Sequence, residues 1–211
     1  MKSSNNTSHH WFGSLVIMLA FFLFAPMTPN ANAQIITFDN LSDGGSGTLI
    51  ANGYEGFNWN NFYVINSLLA VNSGYAVANV SGANAAYNGF GSPASLSSAT
   101  LFNVNSVYIT AAWNDGLSVQ LEGYNGASLL YTTTVNPSAT SPTLFTLNYT
   151  GITSLDFISS GGTLHPGYSG DGEQFAIDNL SLSSTPEPST WAMLLGGLGL
   201  LAFWRTRRTR L

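Results

Sequence analysis

Leu117-Ser118-Val119-Gln120-Leu121-Glu122 alternates apolar and polar side chains without a break. Side chains of an extended strand point to opposite faces in turn, so this stretch buries Leu117, Val119 and Leu121 and leaves the other three in water. It reads as a strand of an antiparallel sheet covered on one face. Asn114-Asp115-Gly116 comes just before it and reads as a hairpin turn, because Asn and Gly tolerate the positive backbone angles such turns need. Residues 99–113, the longest β-prone run, would be the other arm. Asn125-Gly126 marks a second hairpin, leading into a strand at 128–135.

The pattern continues on both sides. Residues 35–38, 60–65, 75–80, 143–149, 154–159 and 174–182 read as further strands. Asp43-Gly44-Gly45-Ser46-Gly47 is a flexible turn, and 136–142 is a loop. Residues 81–93, rich in Gly, Ala and Asn, read as a long loop. About ten strands at regular spacing, with no convincing helix among them, imply an all-β fold, an antiparallel β-sandwich. It fills residues 34–184, enough for one domain with its own core.

Both ends differ from this domain. Lys2 precedes an apolar segment at 11–24; Pro26 and Pro29 interrupt the chain, and Ala31-Asn32-Ala33 has the small-x-small form that signal peptidase cuts. Residues 1–33 therefore read as a signal peptide, removed between Ala33 and Gln34. Residues 185–211 hold Pro186-Glu187-Pro188, then an apolar run at 190–204 broken by Gly196, Gly197 and Gly199, then Arg205, Arg207, Arg208 and Arg210. The arginines would hold the far end in the cytoplasm. A hydrophobic helix of about 15 residues reaches about 22 Å, short of the bilayer's core of about 30 Å. That length suits a transmembrane anchor that is later removed.

The order of motif, apolar run and basic tail resembles the PEP-CTERM sorting signal of Gram-negative bacteria. The resemblance implies recognition of Pro186, Glu187 and Pro188 by an exosortase. The tail is then removed, and the protein passes to the cell surface or to the extracellular matrix of a biofilm. Exosortase systems accompany exopolysaccharide, which becomes a candidate partner. Within the domain, Ile36-Thr37-Phe38-Asp39-Asn40-Leu41, Gly53-Tyr54-Glu55-Gly56-Phe57-Asn58-Trp59 and Phe175-Ala176-Ile177-Asp178-Asn179-Leu180 resemble a β-sandwich ectodomain common in PEP-CTERM proteins. That resemblance implies a jelly-roll-like shape akin to carbohydrate-binding domains, and it brings no catalytic residues with it.

Charge narrows the chemistry. The chain has five Lys and Arg and ten Asp and Glu. None of the basic residues lies in 34–184, and only Glu187 of the acidic ones lies outside it, which leaves the domain nine acids and no Lys or Arg. Nothing there can neutralise phosphate, so nucleic acid is excluded as a partner. Cysteine is absent, which removes thiol catalysis, cysteine-ligated zinc and structural disulfides.

His165 is the domain's single histidine, and no Gly-x-Ser-x-Gly elbow accompanies it. A glycosidase needs two facing carboxylates; Asp115, Glu122, Asp156, Asp171 and Glu173 qualify by residue type only. Asp39 ends the first strand and Asp178 lies in the last. Neighbouring terminal strands would bring these carboxylates together, with Asn40, Asp43, Asn179, Asp171 and Glu173 adding oxygen donors of the kind calcium takes. The plainer alternative is that Asp39 and Asp178 bond backbone amides in turns. Trp59, Tyr63, Tyr87, Tyr108, Trp113, Tyr124, Tyr131 and Tyr149 could stack on sugars if exposed.

The expectation is an exported, non-enzymatic surface or matrix protein that binds glycan or calcium. Its competitor is a secreted glycan hydrolase or lyase. Two convergent carboxylates in a cleft would favour the competitor; an open face with aromatic side chains would favour the binding protein.

Overall fold

The computed structural model describes residues 33–43, 46–185 and 188–208. The expected signal peptide up to residue 32, Gly44, Gly45, Pro186, Glu187 and residues 209–211, including Arg210, lie outside them. Among the described residues are twelve strands: β1 (Ala33–Ile36), β2 (Thr48–Leu49), β3 (Asn58–Asn60), β4 (Phe62–Asn66), β5 (Asn84–Asn88), β6 (Ala94–Ala111), β7 (Asn114–Asp115), β8 (Ser118–Asn125), β9 (Ser128–Val135), β10 (Thr143–Ser160), β11 (Thr163–Leu164) and β12 (Phe175–Ser184).

Ten of them form one antiparallel ladder in the order β2-β4-β5-β12-β6-β10-β8-β9, with β1 added to β12 and β3 to β6. The ladder folds on itself through β6 and β10, each 18 residues long. The start of β6 and the end of β10 lie with β3, β8 and β9. The end of β6 lies with β12, beside the start of β10, and β5, β4 and β2 follow. Between these halves the β6–β10 register shifts at Thr146/Tyr149, Tyr149/Ile152 and Ile152/Ser154. Such irregularities let a strand bend from one layer into the next.

The two layers close on an aromatic centre. Phe157 on β10 meets Phe62 of β4 edge-on at 5.4 Å and stacks on Phe175 of β12 at 5.5 Å. The fold is thus mostly antiparallel and sandwich-like, as the alternation implies. Its buried apolar residues run from Ile36 to Leu182, so the domain between them carries its own core.

Several elements differ from expectation. β6 and β8 do not form a hairpin across Asn114-Asp115-Gly116; both pair with β10, on its opposite sides. Gly116 takes the expected left-handed φ of 69°, yet Asn114 and Asp115 pair instead with β11. Turn chemistry acts locally, whereas which strand sits beside which is decided by covering two long apolar faces. Asn125-Gly126 does close the β8–β9 hairpin, with Asn125 opposite Ser128. Residues 143–149 and 154–159 are two parts of the single strand β10. Residues 75–80 are not a strand; a short 3-10 helix occupies Gly74–Val77. The expected loop at 81–93 contains β5, whose Ala85 and Ala86 are fully buried. Small residues are what tight layer packing requires there, so packing overrides their weak strand propensity.

At the C-terminus a helix, α1 (Pro188–Arg208), occupies the place of the expected apolar segment. Among the described residues no helix is long and apolar enough to cross a membrane. Three glycines and a basic last turn dilute the apolar run of α1.

Candidate functional site

Asp39 and Asp178 do converge, on the segment just before β5. Asp178 is fully buried. Its Oδ2 accepts the amides of Val80 (2.6 Å) and Ser81 (3.0 Å), and its Oδ1 accepts that of Asn179 (2.7 Å). Asp39 Oδ1 accepts the amides of Ala83 (2.9 Å) and Asn84 (3.2 Å). Ser81 Oγ donates to Asn179 Oδ1 at 2.7 Å. Gly82 sits between them at φ +52°, and a Cβ there would stand 2.0 Å from Asp39 Oδ1.

Burial pushes the Asp178 carboxyl up to about 6, opposed by its three amide bonds and reinforced by the charge of Asp39. A cation at this point would face amide hydrogens, so the donor set fits backbone clamping and does not fit calcium. Three of the other expected oxygen donors are engaged elsewhere. Asp43 accepts the amides of Gly47 and Asn66, Glu173 accepts that of Gly161, and Asn40 bonds Tyr54 and Glu55. Among the described residues no three His, Asp or Glu side chains form a group able to hold a metal.

The other convergence of carboxylates lies on the outer face of the β3-β6-β10-β8-β9 layer. Leu155 and Phe157 of β10 point into the core, and so do Leu121 of β8 and Leu96 of β6. Their alternates face out. Register then sets one row across five strands: Asn60, Ser95, Asp156, Glu122 and Thr132. At about 4.8 Å per strand the row spans about 19 Å. A second row begins Asn58, Ser97, Ser154 and Tyr124. None of these nine side chains is buried.

Hydrogen bonds order the middle of the face. Tyr124 Oη donates to Glu122 Oε2 at 2.5 Å, Ser154 Oγ donates to Asp156 Oδ1 at 3.2 Å, and Gln120 Nε2 donates to Thr132 Oγ1 at 3.2 Å. Partial burial raises the Asp156 carboxyl; Ser154 opposes this and the charge of Glu122 adds to it. The bond to Glu122 raises the Tyr124 hydroxyl. The result is an open surface of carboxylates, amides and hydroxyls with one phenol ring among them.

Elsewhere, His165 Nδ1 lies 2.8 Å from Asp115 Oδ2 and its ring 4.4 Å from that of Tyr168. No serine hydroxyl is bonded to that histidine among the described residues. The sequence names Asp115 and His165 separately and gives no sign of their pairing. Trp59 is core, and Tyr149 is buried beneath Tyr131, with which it stacks at 4.7 Å. Tyr63 and Tyr87 pair across β4 and β5 at 5.6 Å, and Phe90, 85% exposed, packs edge-on against Tyr63. Phe90 was missed because it lies in the stretch read as loop; its flanking glycines, Gly89 and Gly91, were the available signal.

Of the processing residues, Ala33 and Gln34 open β1, with Ala33 opposite Ser183, and Gln34 Nε2 donates to Glu55 Oε2 at 2.7 Å. Ala31 lies outside the described residues. Beside them a cavity of about 320 Å3 is lined by Gln34, Glu55, Phe57, Thr100, Phe102 and Ser183 among others. Pro188 begins α1, and Arg205, Arg207 and Arg208 occupy its last turn.

Residues 184–208 match the PEP-CTERM protein-sorting motif. The chain therefore carries an exosortase-type sorting signal, which implies export and membrane anchoring before processing. No curated protein matches the chain. Among solved structures, a DUF4465 family protein from Bacteroides caccae is similar at 14% identity and a TM-score of 0.50, covering 73% of this chain and 100% of its own. That likeness is one of fold. The K2 cleaved adhesin domain of Lys-gingipain aligns at 11% identity, 73% and 100% coverage and a TM-score of 0.46. A family 29 carbohydrate-binding module aligns at 18%, 72% and 92%, and 0.40.

Proposed function

We propose that this protein is a non-enzymatic glycan-binding protein of the cell surface or extracellular matrix, released to its destination by an exosortase acting at Pro186-Glu187-Pro188. The observation that carries the glycan reading is the row Asn60, Ser95, Asp156, Glu122 and Thr132, with Tyr124 beside it. Carboxylates with no Lys or Arg partner accept hydrogen bonds from sugar hydroxyls, the amides and hydroxyls both donate and accept, and a phenol face stacks on a pyranose ring. Nine acids without a basic residue repel acidic polymers, so the ligand is a neutral, hydroxyl-rich polysaccharide such as an exopolysaccharide segment.

One observation favours a hydrolase: Asp156 has a raised carboxyl directly across from Glu122. Glycosidases pair one carboxyl whose pKa is raised with a second carboxylate. Those enzymes enclose the bond they cut, whereas this pair stands on an open sheet face.

Protein recovered from the native surface tests both parts. Its intact mass is expected to lack residues before Gln34 and the arginine tail. On a glycan array, with and without calcium, it is expected to retain neutral oligosaccharides without releasing shorter products. Glu122→Ala and Tyr124→Ala should each weaken retention at least tenfold. Retention unchanged in both variants contradicts the site, and product release replaces binding with hydrolysis.

A further inference from the structure

β9 ends the ladder. It pairs with β8 on one side, and among the described residues no backbone hydrogen bond leaves its other side. Exposed strand edges are templates for another strand, and proteins usually blunt them with charge, proline or very short length. The opposite edge, β2, has two residues. β9 has eight, Ser128-Leu129-Leu130-Tyr131-Thr132-Thr133-Thr134-Val135, with no charge and no proline. Its register irregularity lies near Leu130, leaving 131–135 as a regular run.

We infer that this edge is an interface with a second copy of the same chain, joined by antiparallel pairing of β9 with its two-fold mate. Two features select a second copy over a foreign strand. First, the charge is sparsest here: none of the domain's nine acids is on β9, and one, Glu122, is on the strand beside it. Two copies repel least when they approach edge to edge. Second, the run is complementary to itself. A two-fold axis through Thr133 sets Thr132 opposite Thr134 of the mate, and Tyr131 opposite Val135 of the mate. Each pair lies on one face of the joined sheet, as antiparallel pairing demands. Threonine pairs and aromatic–β-branched pairs are among the favourable cross-strand combinations. The joined sheet would run through both molecules and set both polar outer rows on one face, offset by two residues because Thr132 meets the mate's Thr134, which lies across from Gln120; a polymeric ligand would then meet two such rows side by side.

Sedimentation velocity of the domain over a concentration series, without any glycan, tests the interface separately from ligand binding. The native sequence should pass from monomer to dimer, more readily at high salt because the residual repulsion is screened. Thr132→Lys with Thr134→Lys places two ammonium groups opposite two others and should stay monomeric. Thr132→Glu with Thr134→Glu should stay monomeric too. An equimolar mixture of the two variants should recover the dimer, which also establishes that both are folded. In the native sequence, amide exchange at 131–135 should slow as concentration rises. A native protein that is monomeric throughout, or a lysine variant that dimerises as well as the native one, overturns the inference.

Discussion

At the scale of single residues, Asp178 is the most consequential acid in the domain. Three amides end on its carboxylate. Asp178→Ala would leave three partly buried amide donors without this acceptor and should cost about 1–3 kcal/mol of stability. Equilibrium urea unfolding measures this; a loss under about 0.5 kcal/mol, the usual size of a surface substitution, would deny the clamp.

The pH dependence of Asp178 has a definite sign. Its folded carboxyl stands at about 6, against an ordinary value of 3.8. Between those values the folded state binds more protons than the unfolded one, so stability falls as pH rises. The contribution is complete below 3.8 and is lost as pH climbs through 6, on the order of 3 kcal/mol in all. The domain should therefore melt higher at pH 5 than at pH 7.5, and Asp178→Asn should flatten that difference. A melting temperature that rises from pH 5 to 7.5 would contradict the burial assigned to this group.

At the scale of elements, β8 and its hairpin with β9 were legible because alternation and an Asn-Gly turn are local signals. So was the convergence of Asp39 and Asp178, since Asp178 lies in the last strand, β12, and Asp39 in the segment just after β1. Illegible were the partners of long strands. Nothing in residues 143–160 announces that one strand will serve two layers, and the turn chemistry at Asn114-Asp115-Gly116 suggested the wrong neighbour for β6. β5 was hidden because alanines suited to close layers look like loop in isolation. The outer row of carboxylates and amides was half legible: Glu122 and Asp156 stood out as acids in strands, but their opposition depends on the register of β10 against β8.

Close packing near the bend also has a testable consequence. A Cβ on Gly123 of β8 would stand 2.9 Å from Tyr149 Cδ2 and 3.2 Å from Ile152 Cγ2, both on the irregular part of β10. Gly123→Ala should overpack this corner and cost about 1–3 kcal/mol. A stability equal to the native domain's would mean that the Tyr131–Tyr149 stack yields easily and that the bend is not tightly packed.

At the scale of the whole molecule, the sorting signal and the domain divide the work. The signal begins at Ser184, the last residue of β12 and beyond the last core residue, Leu182, so its removal would leave every core residue in place. The domain that remains has no basic side chain, no disulfide and an open polar face, which suits a hydrated polysaccharide surrounding. In the proposed reading the chemistry of that face accounts for glycan binding, and the uncharged β9 edge for how two copies could share one polymer.

The direct measurement is a residue-resolved NMR titration of the isotope-labelled domain with a neutral oligosaccharide selected from the array. The account expects shift changes centred on Asn60, Ser95, Asp156, Glu122, Tyr124 and Thr132, saturating together. Changes centred instead on Phe90, Tyr63 and Tyr87, or no saturable change with any retained glycan, would contradict it.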